Sequence, residues 1–209
     1  MKTLALELST AQGGLVWLED ADTSMHSVHW PNDRKNSGHF FEQLQTTIRT
    51  FGIPDRIVVG LGPGSYAGVR IAISAAMGVA AAGDIELAGY PSICAMPDTA
   101  AQYVVVGDAR RRSFFFAEVC DRMLMNDYEL LDETALSARL HDLPAAMPVF
   151  SSDLLPQFAR VEQRFPSAEI LARLAVDERK ELVHPPLEPI YLREANITMA
   201  KATNWRSKQ

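Results

Sequence analysis

The stretch Val58–Ala82, VVGLGPGSYAGVRIAISAAMGVAAA, constrains the fold of this chain most. An apolar run enters a turn holding Gly60, Gly62, Gly64 and Gly68 with Pro63, then leaves as a helix of mostly small residues. Glycine accepts positive φ without steric cost and proline presets its own φ, so few sequences could follow this path. Two uses fit the spacing. One is a loop that lets a phosphate or another backbone come close to a helix N-terminus; the other is a tight strand-to-helix connection. The Gly-x-x-x-x-Gly-Lys-Ser/Thr and Gly-x-Gly-x-x-Gly spacings are both missing. Pro63 and Ala67 also stand where a nucleophile elbow around Ser65 needs glycine.

The 209 residues suffice for one domain or for two lobes of about 100 residues each. A hydrophobic content of 47% and a charged content of 22% exclude the disordered and collagen-like classes. No apolar run reaches the roughly 18 residues needed to span a bilayer, and the opening MKTLALELSTAQ turns polar too soon for a signal peptide. The expectation is a soluble, cytoplasmic protein without a membrane. A net charge of −6 and pI near 5.4 argue against a duplex-binding surface. The one basic cluster, Arg110–Arg112, reads as a solvated turn between strands. Cys94 and Cys120 lack Cys-x-x-Cys or His spacing and read as buried, reduced thiols. Of the histidines His26, His29, His39, His141 and His184, none forms a helical His-x-x-x-His pair. His26 and His29 would lie on opposite faces of a strand, so neither a metal nor a cofactor is expected.

Periodicity predicts strands at Lys2–Leu8, Leu15–Leu18 and Met25–Trp30, a helix from Ser37 to Phe51, a strand at Arg56–Leu61, a helix at Tyr66–Ala82, a strand at Ile85–Tyr90 and a helix after Pro91. The order then restarts, with strands at Gln102–Asp108, Phe114–Val119 and Met123–Leu131 and a helix at Asp132–Leu140. A strand at Met147–Ser151, a helix at Leu154–Gln163, a strand at Ala168–Leu171 and a helix at Ala172–Leu182 complete it. The reading is an α/β chain of two lobes, 1–100 and 101–209, each βββαβαβα. The first hairpin turns, Ser9–Gly14 and Ala109–Ser113, would face each other across a cleft.

That plan is similar to the two-lobed, ribonuclease H-like fold of actin, sugar kinases and heat-shock chaperone ATPases. GPGSYAGVRIAIS at 62–74, VVVGDARRRSFFFAEV at 104–119, LEPIYLRE at 187–194 and the opening LALELST narrow the resemblance to the TsaB (YeaZ-like) family. His39 stands where that family places a histidine ahead of its first helix. The resemblance implies a non-catalytic scaffold or activator in threonylcarbamoyladenosine tRNA modification. Its partner would be the catalytic TsaD subunit, which carries a metal on a histidine pair and modifies N6 of adenosine 37. The tRNA would be met only through the complex, with a TsaE-like ATPase as a further candidate partner. An apolar helix pair exposed in the isolated subunit could self-associate, so a homodimer is the expected state without the partner.

Tyr66, Val69, Ile73, Ala76, Met77 and Ala80 of the second helix, with Phe41, Leu44 and Ile48 of the first, are the expected partner contacts. Two small-residue rows, Ala72/Ala76/Ala80 and Ser74/Gly78/Ala82, would allow close helix approach or pack internally. Glu7, Ser9, Thr10, Asp108 and Arg110 are the expected vestiges of a nucleotide cleft. Glu7 replaces the aspartate that the superfamily uses to manage metal and water. The alternative is a nucleotide-binding transferase or kinase working in that cleft, with Glu7 and Asp108 as metal-facing carboxylates.

Overall fold

Alternation along β1 (Lys2–Glu7) sends Leu4 and Leu6 to one face and Ala5 and Glu7 to the other, all buried. In this computed structural model, which describes residues 1–19, 24–32 and 37–193, β1 is the middle of a five-stranded sheet. It pairs antiparallel with β2 (Gln12–Glu19), which pairs antiparallel with β3 (Ser24–Pro31). On its other side it pairs parallel with β4 (Arg56–Gly60), which pairs parallel with β5 (Glu86–Tyr90). Helix α1 (Gly38–Phe51) links β3 to β4, and α2 (Tyr66–Ala80) links β4 to β5. α1 stops at Gly52, whose φ of 91° a side chain would resist.

The second half contains β6 (Gln102–Asp108), β7 (Phe114–Cys120), β8 (Met123–Leu124), β9 (Glu129–Leu131), α3 (Glu133–Asp142), β10 (Val149–Ser151), β11 (Glu162–Gln163) and α4 (Ala168–Val176). Its sheet runs β11-β10-β6-β7-β8, with β9 also on β7. The first sheet runs β3-β2-β1-β4-β5. The two orders match position for position: a central strand, its antiparallel hairpin partner on one side, parallel strands on the other. The repeated α/β plan read from the sequence is therefore present.

Among the described residues, three apolar clusters form the core. Leu4, Leu6, Trp17, Ile57 and Val59 pack under α1 and α2. Val104, Val106 and Phe116 pack under α3. The third cluster lies between the sheets, where Ala5, Val16 and Val58 meet Val105, Phe115 and Ala117 around α4. α4 belongs to the second half of the sequence but packs on β1, β2 and β4 of the first sheet.

Four elements differ from the sequence reading. The helix expected after Pro91 is one 3-10 turn, Ser92–Ala95, sealed between the sheets. The strand expected at Met123–Leu131 breaks into β8 and β9 around Asn126-Asp127. Residues Leu154–Gln163 form turns and β11 rather than a helix. Phe158 alone is buried there, Leu154 is 74% exposed, and the Arg160 guanidinium reaches back to the carbonyls of Leu140, Leu143, Pro144 and Met147. Ala168–Leu171 starts α4 rather than a strand, because the Ser167 hydroxyl accepts the Ile170 N–H and caps a helix; that helix ends at Val176, short of Leu182. The readings of Glu194 and of the polar tail ending NWRSKQ lie outside the described residues.

Candidate functional site

The glycine turn packs backbone to backbone on the turn that follows β1. The Ser65 N–H donates to the Ser9 carbonyl at 2.6 Å, and the Ser65 hydroxyl accepts the Gly68 N–H at the start of α2. A Cβ on Gly64 would stand 2.1 Å from the Ser9 carbonyl oxygen, and one on Gly68 would stand 2.1 Å from that of Leu8. Of the two uses open to this turn, close approach of another backbone is the one observed, and that backbone is the chain's own.

A cleft of about 540 Å³ lies between the halves. Ser9 and Thr10 line it from the first hairpin turn, and Asp108, Ala109, Arg110 and Arg111 from the second, so the two turns share one cavity. Sequence reasoning missed Ser152 and Asp153, which also line it. Asp153 directly precedes the stretch misread as a helix, and its carboxylate accepts the Asp108 N–H at 2.8 Å. Pro189–Arg193 crosses the same cleft: the Ile190 N–H donates to the Leu61 carbonyl, Tyr191 packs its ring 5.5 Å from that of Tyr66, and Arg193 donates to the Ser113 hydroxyl.

Glu7 does not line the cleft. It is fully buried, its Oε1 accepts the Ser9 N–H at 2.7 Å, and its Oε2 has no hydrogen-bond partner. Gly60 makes the space for this carboxyl, since a Cβ there would stand 2.0 Å from Oε2. Burial raises the pKa of Glu7, and the nearby Ser9 and Ser92 groups offset this only in part. Asp108 is half-exposed and pairs with Arg110 at 3.1 Å. The alternative reading takes Glu7 and Asp108 as metal-facing carboxylates; here one carboxylate is sealed beneath the cleft and the other is held by an arginine. Among the described residues no cluster of three or more metal-ligating side chains occurs.

The partner-contact candidates divide by exposure. Val69, Ile73, Ala76 and Leu44 are buried in the core under α1 and α2, where they position the helices, and Leu44 also lines an open groove along α1. Tyr66 at 54%, Met77 at 55% and Phe41 at 47% exposure face solvent, while Ile48 and Ala80 are half-buried. The small-residue rows divide the same way. Ala72 and Ala76 are fully buried, whereas Ser74, Gly78 and Ala82 are exposed. A Cβ on Gly78 would meet nothing within 4 Å. Sequence reasoning also missed Arg70, which lies 4.9 Å over the Tyr66 ring and donates to its hydroxyl.

The histidines fall as the strand period requires. His26 packs on Phe51 of α1, and His29 meets Glu169 of α4 on the opposite face, at 2.5 Å. His39 is exposed beside Trp30 and Glu42. Burial works against the charge on Glu169, but hydrogen bonds from Ser167, Ser27 and His29 outweigh it and hold its pKa near about 2. Both cysteines are free, and burial pushes the Cys94 thiol up to about 12. No described helix is long and apolar enough to cross a membrane.

Residues 41–147, half of the chain, match the family model described as TsaD, tRNA N6-adenosine threonylcarbamoyltransferase. The match begins in α1 and takes in the glycine turn, α2 and the β6–β7 hairpin. Among solved structures, a Pseudomonas aeruginosa protein described as similar to the peptidase YeaZ superposes with a TM-score of 0.72 at 22% identity, over 92% of this chain and 99% of that one. YeaZ from Pseudomonas aeruginosa superposes with a TM-score of 0.71 at 22% identity, over 91% and 99%. These likenesses establish the fold. No curated protein matches the sequence.

Proposed function

The chain belongs to the TsaD family of tRNA N6-adenosine threonylcarbamoyltransferase, and from that premise we propose that it acts in threonylcarbamoyladenosine tRNA modification as a non-catalytic scaffold. In this reading it docks a TsaD-type catalytic subunit through the exposed face of α1 and α2. The observation that carries the reading is Gly78. A glycine inside an exposed helix costs about 1 kcal/mol against alanine, and no packing among the described residues accounts for it. Close approach of a helix from another chain does, and the exposed Met77 next to it in α2 and Phe41 on α1 supply apolar surface. The burial of Glu7 below the cleft supports the non-catalytic half of the proposal.

The test is co-purification with a TsaD-type subunit. Gly78→Arg should abolish the complex while the isolated chain keeps its fold, read from its far-UV circular dichroism and a cooperative melt; an intact complex would overturn the reading. Ala76→Glu is unsuited to this purpose, because it would bury a carboxylate in the core. The same face should make the isolated chain a homodimer that Gly78→Arg dissociates. A second reading, a nucleotide-dependent transferase, rests on the cleft shared by the two hairpin turns. Calorimetry with Mg-ATP separates the two: heat of binding favours the transferase, and its absence at millimolar nucleotide favours the scaffold.

A further inference from the structure

The β6–β7 turn carries the three adjacent arginines 110–112 with φ of 65°, 54° and 59°. A left-handed residue other than glycine is strained by roughly 1–2 kcal/mol, and glycine or asparagine would follow the same path with less strain. The turn is firmly closed. The Ala109 N–H donates to the Ser113 carbonyl at 2.9 Å, the Ser113 N–H and hydroxyl both donate to the Arg110 carbonyl, and the Arg110 N–H donates to Asp108. These bonds use backbone, Ser113 and Asp108; none of them requires arginine at 111 or 112.

A further cation joins this turn from far away in sequence, since Arg193 of the segment across the cleft donates to the Ser113 hydroxyl. Arg110 and Arg111 line the cleft together with Arg193 and an adjoining pocket together with Arg112, and both cavities are also lined by Asp108 and Asp153, in a chain whose net charge is −6. The local excess is positive where the whole is negative. Arg110, Arg111 and Arg112 are all exposed, and the rim beside them is formed by Phe114, Leu154 and Gln157.

We propose that Arg110–Arg112 and Arg193 form a contact for the phosphodiester backbone of the RNA that the complex modifies. This rests on the reading given under Proposed function, which supplies the RNA. A fan of guanidinium groups on a fixed turn presents paired N–H donors to successive phosphates, and such contacts position a nucleic acid without reading its sequence. Strained arginines then have a use that glycine could not serve.

The test is the double variant Arg111→Gly with Arg112→Gly in the full chain, combined with the TsaD-type subunit and an unmodified tRNA transcript. Glycine relieves the left-handed strain, so the thermal midpoint should hold or rise, which separates lost charge from lost fold. KM for the transcript should rise about tenfold at moderate salt, and the log–log salt slope of binding should shrink by about 2. Unchanged KM and slope with an intact complex would overturn the proposal and leave the scaffold reading standing. If the wild-type complex does not form, the scaffold reading fails. Fluorescence anisotropy of the transcript with the full chain alone then decides the RNA contact, again as wild type against the double variant. Competition by millimolar AMP or inorganic phosphate as strong as that of RNA, counted per phosphate, would show a mononucleotide site and likewise overturn it.

Discussion

In the first half, α1 and α2 cover the outer face of the sheet and still leave Phe41, Tyr66 and Met77 in solvent. In the second half, α3 and a set of turns cover the equivalent face, and no helix joins β10 to β11. The hairpin turns diverge as well. The first is neutral and is pinned by the glycine turn, while the second carries three left-handed arginines. Two sheets of the same strand order thus present an apolar helical face in one half and a cationic turn in the other. The difference teaches that a shared topology fixes where loops and helices emerge but leaves their chemistry free.

The comparison breaks most severely at the glycine turn. Gly64→Val drives a side chain into the Ser9 carbonyl, so denaturant unfolding should show a loss on the order of 4 kcal/mol or no folded protein at all. The buried Glu7 and the half-buried Glu169 come next, because they respond to pH in opposite directions. Glu7 holds its proton above the usual 4.5. The folded state therefore binds more protons there, and the stability from that proton is full below pH 4.5 and declines as pH rises towards the raised folded value. Glu7→Gln should remove that decline. Glu169, with a pKa near about 2, contributes stability above pH 4.5 that is lost as pH falls towards about 2. Glu169→Gln should remove the acid-side loss. Thermal melts from pH 3 to pH 9 distinguish the two variants, and identical profiles would refute the assignment.

Most of the first half was legible in the sequence. Its strands are bounded by glycine and proline turns, and α1 repeats its apolar residues at three- and four-residue spacing. The second half was misread where short-range pattern and tertiary packing disagree. Leu154, Leu155, Phe158 and Val161 have helical spacing, yet Pro156 interrupts the stretch and Arg160 is held by carbonyls at the end of α3. No local signal announces such a long-range anchor. At the site, the glycines were recognisable. Which row of α2 faced out was not, because Ala76 and Gly78 are equally small and only the packing of α2 on β4 decides between them. Asp153 and Arg193 reach the cleft only through the fold.

Smaller effects sharpen the contrast between the exposed surfaces. Gly78→Ala should stabilise the isolated chain by about 1 kcal/mol, read from denaturant midpoints; a loss of stability would mean that the chain itself needs glycine there. Arg111→Gly should gain a few tenths to about 1 kcal/mol by releasing left-handed strain. No gain would remove the argument that the turn tolerates strain for a purpose.

Docking on the first half is tested most directly by hydrogen exchange of the chain alone and mixed with a TsaD-type subunit. The account predicts new protection confined to the amides of α1 and α2, with the second-half turns 109–113 and 152–161 exchanging as before. Protection centred on the second half, or none on α2 in a formed complex, would contradict it.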